Sequence, residues 1–127
     1  MNTEKLSIKI EKMTKNDVDE IFKIEEETYG PHHWSKDSFY SEVSNNIARY
    51  YVARLETGEI IGYIGSWFII EEAHITNVSV SPKYRRNSIG EALLYHLLKQ
   101  CYAEMIKYIT LEVRVSNEPA INLYKKY

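Results

Sequence analysis

The fold is decided between His74 and Gln100, which read HITNVSV (74–80), SPKYRRNSIG (81–90) and EALLYHLLKQ (91–100). The first segment is rich in β-branched and apolar residues and suits a strand. The last belongs to a helix, with Ile89, Leu93, Leu97 and Cys101 at four-residue spacing and Leu94, Leu98 and Met105 beside them, the stripe of one buried face. A strand that turns through a short basic loop into a helix presents the N–H groups of the helix start, where the helix dipole is positive, and that is a place for a phosphate. Arg85, Arg86, Asn87, Ser88, Ile89 and Gly90 are the candidate cradle. An ordinary solvated basic loop has the same composition, since neither a P-loop nor a full G-x-G-x-x-G pattern is present.

Working outward toward the N-terminus, the Ala48–Leu55 and Ile60–Ile70 runs flank Glu56-Thr57-Gly58-Glu59, which predicts a β-hairpin. Gly62 and Gly65 in its second arm predict a bulge or a close backbone approach. Trp34-Ser35 through Phe39 predicts a helix with Ser35 as N-cap and Trp34 stapled onto Phe39, running to about Ser44. An earlier helix starts after Thr14-Lys-Asn-Asp17, a capping box with aspartate for glutamate, and ends near Thr28, where Tyr29-Gly30-Pro31 breaks it. Leu6, Ile8 and Ile10 alternate with charged and polar residues as a half-buried first strand. Toward the C-terminus, Ile109, Leu111, Val113 and Val115 alternate within a fifth strand, Tyr108–Val115, and Ser116-Asn117-Glu118-Pro119 opens a last helix carrying Tyr124. The order βααβββαβα, with a right-handed crossover joining parallel fourth and fifth strands, predicts a mixed α/β sandwich in a single domain over residues 1–127.

At 127 residues, one core can bury roughly two-thirds of the surface that the unfolded chain exposes. Sixteen Lys and Arg against eighteen Asp and Glu give a net charge of −2, no global reason to expect a nucleic-acid or membrane-surface partner, so any cationic chemistry is local. One cysteine, Cys101, permits no internal disulfide and fits a reducing compartment. No stretch of about 18 apolar residues occurs and the first residues are charged, so neither a signal peptide nor a membrane span is expected, and the location expected is cytoplasmic.

Beyond the loop, two groups carry possible chemistry. Glu112 interrupts an apolar strand, and partial desolvation there would raise its pKa toward that of a general base; an isolated strand glutamate paired with Arg114 has the same sequence appearance. Tyr124 lies on the helix that this strand feeds, from which a phenol can point back over the strand end and donate a proton, though a half-buried aromatic is the ordinary role there. His32, His33, His74 and His96 show no helical i, i+4 pair, and no metal site is expected.

Together HHWSKDSF, EAHITNVSVSPKYRRNSIGEALL and LEVRVSNEPAINLYKKY resemble the GNAT superfamily of acetyl-CoA-dependent N-acetyltransferases, and within it the RimI-type ribosomal-protein-alanine N-acetyltransferases. The resemblance implies a mixed, mostly antiparallel sheet splayed between its fourth and fifth strands with helices on both faces. It implies acetyl-CoA as co-substrate, with its pantetheine on the backbone of Asn77, Val78, Ser79 and Val80, its pyrophosphate on Arg85 to Gly90, and Asn117 at the cofactor. It further implies Glu112 as general base, Tyr124 as general acid, Trp34 in the wall of the acceptor groove, and the N-terminal alanine of a ribosomal protein as acceptor. An α-amine titrates near 8, so a base must take its proton before it attacks the thioester, strand N–H groups around Val78 would hold the oxyanion, and the departing thiolate needs a proton in turn.

Two departures from the family pattern carry expectations of their own. Ser88 stands where the family's loop has its middle glycine, which predicts weakened phosphate binding. The sequence ends at Tyr127, before the family's closing hairpin, which predicts a C-terminally truncated domain whose fifth strand has an open edge available for homodimerisation. A family member acting on a small amine or another protein, or an idle CoA-binding or dimerisation module, stays as the alternative.

Overall fold

A computed structural model describes residues 7–84 and 88–111. The chain runs through β1 (Ile8–Lys12), α1 (Val18–Tyr29), α2 (Lys36–Val43), β2 (Ala48–Leu55), β3 (Ile60–Ile69), β4 (Glu72–Val80), α3 (Ile89–Ala103) and β5 (Tyr108–Leu111), with short 3-10 turns before α1, α2 and α3. The strands form one sheet in the order β1-β2-β3-β4-β5, antiparallel throughout except for the parallel β4–β5 pair joined by the α3 crossover. The remainder of the expected fifth strand and the last helix lie outside the described residues, as does Leu6.

Local chemistry accounts for the boundaries. The Asp17 carboxylate accepts from the Thr14 N–H at 2.9 Å and the Thr14 hydroxyl at 3.1 Å, so aspartate closes the turn that leads into α1. α1 ends at Gly30, whose φ of +54° only glycine adopts freely. At α2 the Ser35 hydroxyl accepts from the Ser38 N–H at 3.2 Å, and the Trp34 and Phe39 rings lie 5.7 Å apart, the expected cap and staple. The hairpin closes with the Leu55 N–H donating to Glu59 O at 2.8 Å.

Each face of the sheet is covered. α3 packs Ile89, Leu93, Leu94 and Leu97 onto Ile61, Ile64, Ile75 and Val78, with Cys101 buried at the far end and its thiol pushed up to about 11, first by burial and then by Glu104. On the opposite face α1 and α2 bury Val18, Ile21, Ile24 and Phe39 against Tyr50, Val52 and Tyr63. Each of these fully buried side chains contributes roughly 1.5–3 kcal/mol of transfer free energy. A Cβ on Gly62 would stand 3.0 Å from Ser79 O and 3.4 Å from Ile89 and Leu93 side-chain carbons, so this glycine lets the start of α3 seat closely on the sheet. Arg49 locks the other end of α3, donating from Nε and Nη2 to both oxygens of Glu104 at 3.1 and 2.9 Å.

The described part of the fifth strand is exposed, with Ile109 and Leu111 at 43% and 45%. α3 sits over β2, β3 and β4, and β5, with β4 as its one neighbour among the described residues, receives little cover from it.

Candidate active site

The site is built around a defect in β4. Its register with β3 runs Gly65 to Asn77 and then Ser66 to Ile75, which leaves Thr76 as an extra, bulged residue. Strict alternation from Ala73 and Ile75 would send Asn77 into the apolar layer under α3. The bulge resets the parity, so Val78 takes that place in the α3 core and Asn77 turns to the face covered by α1 and α2. There Tyr50, Gly65 and Asn77 form one row across three strands. The Tyr50 ring lies over Gly65, where a Cβ would be 2.5 Å from Tyr50 Cζ, and burial pushes the phenol far above its ordinary value, with the Thr76 hydroxyl partly opposing. Asn77 is 2% exposed, and neither its Oδ1 nor its Nδ2 has a hydrogen-bond partner among the described residues.

The adjoining row pairs Tyr63 with Ser79. The Tyr63 hydroxyl donates to Glu25 Oε1 at 2.5 Å, and the Trp34 N–H donates to Glu25 Oε2 at 2.6 Å. Glu25 and Tyr63 are both completely buried. A carboxylate in the core therefore ties α1, the loop entering α2 and β3 together, and it fixes the backbone of Trp34 relative to the sheet. Desolvation, followed by the Glu25 charge, holds the Tyr63 phenol well above its ordinary value, so it acts as a hydrogen-bond donor and not as an acid.

On the other side of β4, α3 begins at Ile89 directly after Ser88, which adopts φ +61° and ψ +22°. The helix is 15 residues long, its first N–H groups have no intrahelical acceptor, and its dipole favours an anion at this end. Ser88, Ile89 and Gly90, three of the residues expected in the pyrophosphate cradle, stand at this helix start, while Arg85, Arg86 and Asn87 lie outside the described residues. So do Glu112, Asn117 and Tyr124. The described β4–β5 ladder ends at Ile75–Leu111, immediately before the bulge, and the fifth-strand residues that would follow beside Asn77, Val78, Ser79 and Val80 are outside it too.

Histidines serve structural contacts: His33 Nδ1 donates to Trp34 O at 2.7 Å, and His96 meets the Tyr51 ring at 4.6 Å. Among the described residues no group of three or more His, Cys, Asp or Glu could hold a metal, and no helix is long and apolar enough to cross a membrane. A cleft of about 140 Å³ between the end of α2 and β2, lined by Lys12, Glu42, Arg49 and Tyr50 among others, shares Tyr50 with this row and is lined by no β4 residue.

Residues 15–127 match the model of the acetyltransferase (GNAT) family. The chain belongs to the GNAT acetyltransferase family. It is 37% identical over 118 residues to a Bacillus subtilis (strain 168) protein named putative [ribosomal protein bS18]-alanine N-acetyltransferase, covering 93% of this chain and 78% of that one. The crystal structure of the ribosomal-protein-S18-alanine N-acetyltransferase from Escherichia coli superposes with a TM-score of 0.82 at 27% identity, covering 94% of this chain and 76% of that one. A Thermoplasma acidophilum N-acetyltransferase solved in complex with coenzyme A shares the fold, with a TM-score of 0.81 at 22% identity over 95% of this chain and 88% of that one.

Membership gives the geometry its frame: this GNAT domain has the mixed sheet and two-sided helical cover that its sequence announced. Glu25 and Tyr63 were not singled out as site residues. Glu25 was legible only as one position on an amphipathic helix, inside the acidic run Glu25-Glu26-Glu27. One signal was available: a glutamate sharing the buried stripe of Val18 and Ile21 needs a partner in the core.

Proposed function

We propose that this chain is an acetyl-CoA-dependent N-acetyltransferase that modifies the N-terminal α-amine of a protein, and that its acceptor is the alanine of a ribosomal protein. The 37% identity across 93% of the chain to a protein named for that reaction carries the reading. The start of α3 supports it, because it offers the cationic helix end that the pyrophosphate of acetyl-CoA requires. Ser88, Ile89 and Gly90 would hold that group together with Arg85, Arg86 and Asn87, and the backbone of residues 77–80 would pair with the pantetheine. Bound acetyl-CoA supplies the activated thioester.

The chain's own groups then move protons. Glu112 takes a proton from the acceptor ammonium, directly or through a water, because an α-amine is largely protonated at neutral pH. Tyr124 hands a proton to the departing sulfur, and Asn117 contacts the co-substrate. Trp34, its backbone tied to Glu25, forms part of the acceptor wall.

Incubating the protein with acetyl-CoA and a panel of amines tests the reading through release of free CoA thiol. Turnover faster with an alanine-initiated peptide than with polyamines supports it. Faster turnover with a polyamine replaces it with a small-amine transferase, and CoA binding without turnover on any amine replaces it with an idle binding module.

A further inference from the structure

A buried carboxamide with no partner is costly, since each desolvated polar atom loses its hydrogen bonds to water and gains none, so it persists where function uses it. Among the described residues Asn77 is such a group at both its atoms, and it reaches its position through a backbone bulge that removes it from a core where Val78 fits instead. The two faces of β4 are chemically distinct at this point. α3, with the anion-favouring helix start, covers one, and Asn77 lies on the other, one row from the Tyr63 whose hydroxyl reaches the Glu25–Trp34 tether. A ligand group meeting Asn77 is therefore not the phosphate end of the co-substrate.

A neutral carboxamide offers one acceptor and one donor side by side, which complements a peptide unit, itself one N–H and one C=O. A free amine matches only the acceptor half, and a carboxylate or phosphate only the donor half. We infer that the Asn77 side chain is a specificity-determining group that pairs with the first peptide unit of the acceptor chain, so that an amine is accepted well only when an amide follows it. The inference rests on the proposed protein N-terminal acetylation and adds how the site tells a protein N-terminus from a simple amine. Sites built to hydrogen-bond a substrate group discriminate strongly against analogues that lack it, because their own buried polar atoms are then left unpaired.

Asn77→Leu, close in shape and apolar, and Asn77→Ala, which adds no bulk, test this in parallel. For each variant and the parent protein, kcat/KM is measured for an alanine-initiated peptide and for isopropylamine, the same amine without its amide. Peptide Kd is measured by calorimetry in the presence of CoA, and KM for acetyl-CoA and Tm are followed alongside. The expected result is a peptide kcat/KM and affinity lowered roughly ten- to a hundredfold further than the isopropylamine kcat/KM is lowered. Tm is expected to be unchanged or raised for Asn77→Leu, since no side-chain hydrogen bond to the described residues is lost. Equal losses for peptide and isopropylamine, or none for either, overturn the inference and leave the proposed function standing. A parent protein that acetylates no peptide overturns the proposed function, and the inference with it.

Discussion

Removing the Glu25 carboxylate is the sharpest test of how the backbone of Trp34 is held against the sheet. Glu25→Ala leaves the Tyr63 hydroxyl, fully buried, and the Trp34 N–H without the acceptors that now stand at 2.5 and 2.6 Å. Each orphaned donor costs about 1–3 kcal/mol, and hydrogen bonds to a charged group lie at the upper end, so a loss of about 4 kcal/mol is expected. That is roughly a quarter to four-fifths of the total stability of a typical domain. Glu25→Gln behaves differently for a reason of valence. Its carbonyl can still accept from the Trp34 N–H, and its amide can donate to the Tyr63 oxygen, since a phenol accepts as well as donates. The network survives with neutral bonds in place of charge-assisted ones, and the expected loss is about 1–2 kcal/mol. Urea unfolding followed by tryptophan fluorescence measures both, with the slope of the transition as the check that the folded state is intact. Hydrogen exchange at the Trp34 amide should accelerate in Glu25→Ala well before global unfolding. A Glu25→Ala variant within 1 kcal/mol of the parent, or no more destabilised than Glu25→Gln, would refute the account of the tether.

Three further outcomes follow from specific geometry. Ser88→Gly should stabilise the fold by about 1 kcal/mol, because a left-handed residue with a Cβ costs roughly 1–2 kcal/mol and the added freedom of the unfolded chain takes back part of that; it should also tighten CoA binding, and a lower Tm would contradict the strain. Gly65→Ala places a methyl against the Tyr50 ring at 2.5 Å from Cζ and should cost about 1–3 kcal/mol, while the Gly65→Ala/Tyr50→Ala pair in a double-mutant cycle should recover most of the clash; strict additivity would show that ring and glycine do not meet. Burial raises the Asp17 carboxyl, but the Arg54 hydrogen bond at 2.8 Å and the Thr14 and Arg54 contributions outweigh it, so its net position lies below the ordinary aspartate range. Its stabilising effect is thus complete above that range and fades as pH falls through the folded value, so Arg54→Met should flatten the acid limb of a stability profile measured between about pH 5 and 2; an unchanged limb would place the acid sensitivity elsewhere.

How much of this was legible in the sequence divides along physical lines. Helix ends were readable because caps, staples and glycines act within a few residues, as Ser35, Trp34 and Gly30 do. The hairpin was readable because alternation and a turn are local, and Gly62 and Gly65 were marked for close approach by their position alone. The bulge or close approach expected around these glycines is present on β3, where Ile61 beside Gly62 has no partner between the Ala53–Gly62 and Arg54–Ile60 pairs, but the second bulge, at Thr76 on β4, was not foreseen, and nothing in HITNVSV reveals on which side of it the parity resets. The face that Asn77 occupies was therefore hidden, and so was its role. Glu25 was hidden for a different reason, since its partners lie nine and thirty-eight residues away. The exposure of Ile109 and Leu111 depends on how little of β5 lies under α3, which alternation does not encode. Glu112 and Tyr124 came forward from their places on the fifth strand and the helix it feeds, resemblance gave them roles and added Asn117, and their chemistry is to be tested by substitution.

The central claim is acetyl transfer to a protein N-terminus, and intact-mass analysis of a ribosomal protein bearing an N-terminal alanine, after incubation with this protein and acetyl-CoA, tests it most directly. One acetyl group on the α-amine is expected, with a rate lowered on the order of 10² or more by Glu112→Gln. An unmodified ribosomal protein, in the presence of protein shown to bind CoA, would contradict the claim, and full activity in Glu112→Gln would remove the base from the mechanism.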